Sequence, residues 1–224
     1  MVAALTSAGA FVSDIFREID EELRRDNLLK LWARYRWHIV GVVVVVLVVA
    51  GAIVAWRDHQ ASERRAEATR YAGALTLARD GKEADAAKLF AVLAQDGGGY
   101  SVLAAFEQAE LMARQGDVKG AIGAYDRLAA SSGLDPEFRD LAVLLSVIHG
   151  FPDVDPKAAA DRLQPLIANG NPWRATALEL TAAAKLKGSD RPGALDIYKQ
   201  LADDLSAPQQ LRARAAEMTA ALAH

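Results

Sequence analysis

Residues 39–56 read IVGVVVVVLVVAGAIVAW, eighteen positions without a charged side chain, and no other feature limits the fold of this chain so strongly. At 1.5 Å rise per residue, a helix of that length covers about 27 Å, close to a bilayer hydrocarbon core of roughly 30 Å. The five valines at 42–46 would favour a strand in water, because β-branched side chains are stiff in helices. In lipid that preference loses: an isolated strand leaves its backbone polar groups unsatisfied, whereas a helix satisfies them internally. Trp37 and Trp56 bracket the run and suit the aromatic belts of the two interfaces. A buried core helix seldom runs this long without a charge. A cleaved signal peptide has an apolar region of about 7–15 residues after a short basic stretch, whereas 38 residues precede this run. The expectation is an uncleaved transmembrane helix over residues 37–57.

Charge sets the expected orientation. Arg24, Arg25, Lys30, Arg34 and Arg36 lie within twenty residues before the run, and Arg57, Arg64, Arg65 and Arg70 within twenty after it. The count differs by one, but the short arm weighs more than a long domain, which translocates largely regardless of its charge. This places the N-terminus in the cytosol and the C-terminal region in a bacterial periplasm, with the chain single-pass in the inner membrane. Within the anchor, Gly51 and Ala55 form a small-xxx-small pair that suits a helix–helix contact and allows a homo-oligomer.

The arm before the anchor divides in two. Residues 1–11 are rich in Ala, Thr, Ser and Gly without periodicity; they read as disordered or as lying before the true start of the protein. From residue 12 to 36 an amphipathic helix is expected, with Ser13 as its cap before Asp14. Val12, Ile15, Phe16, Ile19 and Leu23 form an apolar stripe opposed by Glu18, Asp20, Glu21, Glu22, Arg24 and Arg25. Such a stripe either docks on a partner or remains a solvated helix. Six acids balance six bases between residues 14 and 36, so attraction to anionic lipid is weak.

Composition excludes several functions. A net charge of −3 and a pI of about 5.8 give no footprint for nucleic acid. The absence of cysteine removes disulfides, thiol catalysis and Cys-ligated metals. His59 and His149 each have an acid four residues on (Glu63 and Asp153), but neither pair has the second histidine of a helical zinc motif. His38 and His224 have no such neighbour, and His149 suits the negative end of a helix dipole. Asp96 followed by three glycines lacks the Lys-Ser/Thr of a phosphate loop, and Ser131-Ser132-Gly133 is no nucleophile elbow. Glu107 and Glu110 read as solvated carboxylates. No catalytic, cofactor or metal site is expected.

From residue 58 to 224 the pattern is helical, broken by turn residues at Gly81, 97–99, Gly116, Gly133, Pro152, Pro156, 170–172, Gly188, Pro192 and Pro208. One frame recurs. Ala86, Phe90 and Leu93 are followed by Ala121, Tyr125 and Leu128, then Ala159, Leu163 and Leu166, then Ala194, Tyr198 and Leu201, with 35, 38 and 35 residues between copies. A turn precedes each copy. Constant spacing of this kind marks stacked helix pairs. The alanine allows the closest approach of two helices, and the aromatic and leucine, one turn apart, fill the gap to the next unit. Residues 208–222 carry Leu211, Ala215, Met218 and Leu222 on one side, as a terminal capping helix needs. No proline interrupts residues 28–80, so anchor and first repeat helix can be continuous.

These frames resemble the tetratricopeptide repeat family. The best copy, residues 105–128, contains MARQGDVKGAIGAYDRL, which matches the family's small residue, Gly-Asp turn, alanine and aromatic positions. The family's early tryptophan is missing, and the third copy has no glycine turn. The resemblance implies an all-α solenoid of about four helix pairs with a C-terminal cap. It also implies a concave groove lined by first helices, which by position in the frame holds Tyr71, Arg79, Phe106, Glu110, Arg114, Glu179 and Lys187, a candidate surface for protein partners.

With arm, anchor and repeats together, the chain resembles the YfgM-type ancillary subunit family of the SecYEG translocon. The residues that carry this are SDIFREIDEELRRDNLLKLW at 13–32, the anchor immediately after, and LRARAAEMTAAL at 211–222. Members begin near SDIF, which is why residues 1–11 stand apart. The resemblance implies a non-enzymatic, membrane-tethered scaffold whose partners are Sec translocon subunits and periplasmic chaperones or emerging chains. A self-associating scaffold for another envelope complex, in division or respiratory assembly, remains the alternative. Carbonate extraction of membranes should leave the intact chain in the pellet; release into the soluble fraction would remove the anchor.

Overall fold

The computed structural model describes the backbone of residues 6–223 and the side chains of residue 32, residues 34–38 and residues 40–223. Among the described residues the chain is helical throughout, with no strand. Contacts divide it into two units, Met1–Glu63 and Arg64–His224. Helix α1 spans Thr6–Arg79 and contributes to both.

In the first unit α1 starts at Thr6, upstream of Ser13, which lies inside the helix rather than at its cap. Nothing between Thr6 and Ser13 breaks a helix except the single Gly9, and one glycine costs only about 1 kcal/mol there. The side chains of the stripe Val12, Ile15, Phe16, Ile19 and Leu23 lie outside the described residues. From residue 40 to 60 every side chain is exposed, with Trp37 at 72% and Trp56 at 65%. The helix holds one segment long and apolar enough to cross a membrane, and no protein covers it.

In the second unit the last turns of α1 are followed by α2 (Glu83–Gln95), α3 (Ser101–Arg114), α4 (Val118–Ala129), α5 (Pro136–Gly150), α6 (Pro156–Leu163), α7 (Arg174–Lys187), α8 (Arg191–Asp203) and α9 (Gln209–Leu222). Each helix packs chiefly on its neighbours in sequence. Ala86, Ala121, Ala159 and Ala194 each have 0% exposure, so even a methylene added there would push two helices apart at about 1–3 kcal/mol. Twelve residues before them come Ala74, Ala109, Val147 and Ala182, at 0–2% exposure, each in the same apolar cluster as its alanine. Phe90, Tyr125, Leu163 and Tyr198, with Leu93, Leu166 and Leu201, are buried beside these contacts, and Leu128 is half-buried.

The turns inside the helix pairs share one geometry. Gly81 has φ +78° and Gly116 φ +90°, and Ser189 occupies the equivalent place with φ +64°. After Gly116 and Ser189 the next residue caps the second helix: Asp117 accepts from Gly120 N–H at 2.9 Å and Asp190 from Gly193 N–H at 3.0 Å, whereas Lys82 after Gly81 makes no side-chain cap. A Cβ at Gly120 or Gly193 would fall within 2.3 Å of the capping carboxylate, so the cap and the absent side chain are one device. The third pair departs from this. Asp155 caps Ala158 with Pro156 as first helical residue, and α6 stops at Leu163, where Gln164–Ile167 continue as a 3₁₀ turn containing Pro165. Proline cannot supply the interior α-helical hydrogen bond, and Pro165 is not among the turn residues that mark the repeat boundaries in the sequence.

Long-range polar contacts repeat the same period. Arg114 pairs with Glu83, Arg162 with Asp126, Asn171 with Asp140, Arg174 with Asp204, and Arg214 with Glu179. Their separations run from 30 to 36 residues, about one repeat, so coupling passes between adjacent units only. Arg191 closes the stack by donating to the carbonyls of Ala221 and Leu222, the unsatisfied end of α9. Because a non-glycine residue in the left-handed region is strained by about 1–2 kcal/mol, Ser189→Gly should raise the unfolding free energy by roughly 0.5–1 kcal/mol, after allowing for glycine's entropy in the unfolded chain. A denaturant melt showing no gain would remove the strain argument.

Candidate functional site

The seven groove candidates fall on the first helices of the pairs, α1, α3 and α7, and most are already committed to partners inside the chain. Tyr71 packs on Phe90 with ring centroids 5.6 Å apart and on Tyr100 at 5.2 Å. Its hydroxyl lies 3.4 Å from Glu107 Oε1. Burial, then the Glu107 charge, pushes the Tyr71 hydroxyl above its ordinary pKa, so it stays protonated and donates. Arg79 is exposed at the end of α1.

Glu110 gathers the tightest group. His149 Nε2 donates to Glu110 Oε2 at 3.0 Å, and Tyr125 Oη lies 3.5 Å from the same oxygen. A carboxylate only accepts, so the imidazole carries its proton on Nε2. The Tyr125 and His149 rings stack, 5.5 Å apart and 9° from parallel. Burial, then Glu110, pushes the Tyr125 hydroxyl well above the ordinary tyrosine range. The group therefore joins α3, α4 and α5. Among the described residues no three His, Cys, Asp or Glu side chains converge as metal ligands. From the sequence, Glu107 and Glu110 read as solvated and His149 as a helix end; their partners come from helices a repeat away, which local spacing does not reveal.

Arg114 forms its ion pair with Glu83 at the start of α2. Glu179 takes two hydrogen bonds from Arg214 of α9, at 2.8 and 2.9 Å. Lys187 Nζ donates to the carbonyls of Phe151, Pro152 and Val154 at 2.7, 2.8 and 2.8 Å, and lies 5.6 Å from the Phe151 ring centre. Phe106 packs against Tyr125 at 6.0 Å and Phe138 at 6.4 Å. The structure thus brings together Tyr71 with Glu107 and Phe106 with Phe138, but it does not gather the seven into one cluster. Leu103 of α3 and Phe138 of α5, at 41% and 36% exposure, were absent from the sequence candidates. Phe138 lies 32 residues after Phe106, close to the repeat length, and that spacing was the available signal.

A cavity of about 570 Å³ opens beside the shortened α6, lined by Val118, Ile122, Val147, Val154, Lys119 and Arg162 among others. Arg162 reaches across its edge to Asp126, which also accepts from the buried Ser146 hydroxyl at 2.7 Å. The lining is aliphatic, and its charges are of both signs: Asp117 and Asp153 oppose Lys119 and Arg162.

At the far end of α8, Asp204 is held by the Ser206 hydroxyl at 2.5 Å, the Arg174 guanidinium and the Ser206 N–H at 2.9 Å. These donors, the Ser206 hydroxyl foremost, lower the carboxyl from its ordinary 3.8 to about 2. The folded carboxyl is the stronger acid, so its contribution to stability is complete above the ordinary value and vanishes as pH falls towards about 2. Asp204→Asn should therefore be less stable than wild type near neutral pH, with the gap closing through that acid window in denaturant melts. A gap independent of pH would assign the effect to packing.

The profile of the tetratricopeptide repeat-like domain matches residues 30–148, just over half of the chain. Among solved structures, the chain is similar to a putative kinesin light chain of Podospora anserina with nearly identical tetratricopeptide-like repeats, and to a variant of that same protein. Both share 15% sequence identity and a TM-score of 0.53, over 69% of this chain and 83% of theirs. At that identity the likeness concerns the fold alone. No curated protein matches the chain. Four alanine-centred helix pairs, a capping helix and the profile match lead to one conclusion: this chain belongs to the tetratricopeptide repeat-like domain family.

Proposed function

We propose that this chain is a non-enzymatic, membrane-tethered scaffold for protein–protein interaction, and that it serves as an accessory factor of the Sec translocon in the bacterial inner membrane. In this reading residues 12–36 form a cytosolic arm, residues 37–57 cross the membrane, and residues 58–224 form a periplasmic repeat domain. That domain links the translocon to periplasmic chaperones or to emerging chains.

One observation carries the reading: an apolar helical segment that no protein covers precedes, in the same chain, a repeat fold of the kind used to bind proteins. The groove candidates Tyr71, Arg79, Phe106, Glu110, Arg114, Glu179 and Lys187 belong to this proposal as the first helices' share of the surface. The arm sequence at 13–32 and the basic residues before the anchor support the translocon and the orientation.

A second reading has one observation in its favour. Gly51 is exposed, and a Cβ there meets nothing within 4 Å, so the anchor has room for a second helix beside it, as self-association would need. Chemical crosslinking in intact cells, followed by purification in mild detergent, separates the two. The scaffold reading expects translocon subunits or periplasmic chaperones among the products, unchanged by Gly51→Leu. Loss of those partners from the wild type, with an oligomer that shrinks in Gly51→Leu, would replace it with self-association.

A further inference from the structure

The cavity beside α6 lies apart from the groove, since none of the seven candidates lines it. Its origin is the irregular third pair. Helix α6 has 8 residues where α4 has 12 and α8 has 13, and α5 and α6 touch less extensively than α3 and α4 or α7 and α8. The space left open, about 570 Å³, is of the size that holds small ligands, roughly 300–1,000 Å³. Gly150 helps to keep it: a Cβ there would stand 3.2 Å from Ile122 Cδ1 and press on the lining.

The lining defines the ligand. Val118, Ile122, Val147 and Val154 form an aliphatic surface without an aromatic ring, and such a surface takes an aliphatic body by releasing water. The one side-chain hydroxyl, of Ser146, already donates to Asp126, so polar groups along that body find no hydroxyl to bond. Of the four charged residues two are committed: Arg162 pairs with Asp126, and Asp117 caps α4 by accepting from Gly120 N–H. Lys119 and Asp153 remain. Both are exposed, and neither side chain pairs with the other or with any group among the described residues. A ligand with one charge would engage one of them, whereas a ligand charged at both ends engages both and keeps neither of its own charges unpaired.

We propose that this cavity binds a small aliphatic zwitterion, of the class of dipeptides of leucine, isoleucine or valine with both ends free, its carboxylate at Lys119 and its ammonium at Asp153. The ligand is a free solute: embedding it in a longer chain would remove the two charges that match the rim. Buried aliphatic area supplies most of the affinity, and the two exposed charges supply selectivity for the free ends. This goes beyond the scaffold reading and does not depend on it.

The test is isothermal titration calorimetry of the full chain in nanodiscs, with empty nanodiscs as control. Leucyl-leucine is titrated beside N-acetyl-leucyl-leucine, leucyl-leucinamide and glycyl-glycine. Leucyl-leucine should bind the wild type, and glycyl-glycine, with the same charges and no aliphatic body, at least roughly tenfold more weakly. Loss of either charged end should weaken binding about threefold to fivefold, the span of an exposed ion pair. Lys119→Gln should weaken leucyl-leucine by the same factor and leave leucyl-leucinamide unchanged, and Asp153→Asn should do likewise with the acetylated form. Both side chains are exposed, and thermal melts check that each variant keeps the wild-type fold. Failure of leucyl-leucine to bind, equal binding of all four ligands, or variants that keep the wild-type affinity and end preference would overturn the inference. The crosslinking partners of the scaffold reading do not enter this measurement, so either result leaves that reading where it stands.

Discussion

Everything in the repeat domain depends on two helices touching at an alanine. Ala86, Ala121, Ala159 and Ala194 have no exposed surface, and each shares its apolar cluster with a second buried small residue, Ala74, Ala109, Val147 or Ala182. With so little side chain between them, the backbones approach closely. The aromatic and leucine beside the contact then reach into the next unit, which turns pairs into a stack. An alanine is also the residue that costs least in a helix, so one choice serves local propensity and tertiary packing together. Local and global preferences agree, which is the condition for a single native arrangement.

A stack coupled only to its neighbours tolerates one irregular member. The third pair has no glycine turn, a valine where its neighbours have alanine, and a second helix cut short before Pro165. The units on either side keep their own alanine contacts, and Arg162 and Lys187 bind across the gap, the first to Asp126 and the second to the α5–α6 turn. The irregularity stays local and leaves an aliphatic cavity beside α6. A fold with one shared core would spread such a defect through its packing, whereas a solenoid confines it to an interface.

The polar side chains of the first helices show how burial and pairing replace solvation. Glu107, Glu110, Arg114, Glu179 and Lys187 stand at spacings that suit an exposed charged face, yet each meets a donor or acceptor about one repeat away. Arg79, exposed at the end of α1, is the exception among the charged candidates. A charged residue named from the frame is therefore a poor guide to what a partner would touch, since the frame gives its helix position but not what stands opposite. On these first helices Leu103, Phe138 and Ile148 remain exposed, although in the sequence they look like ordinary core positions.

Taken alone, the sequence determined the all-helical class, the succession of helix pairs and the presence of a segment apolar enough for a membrane. These follow from properties that act over a few residues: charge-free length, helix propensity, turn residues and a constant spacing. It also located the helices on which the groove candidates lie. Tertiary structure alone decided which small residue opposes each alanine, that Ser189 takes a glycine's conformation, that Pro165 ends α6 early, and which charges are spent on one another. All of these require knowing which residues meet across about one repeat, and that pairing is fixed by the stacking of helices, which sequence spacing bounds but does not resolve.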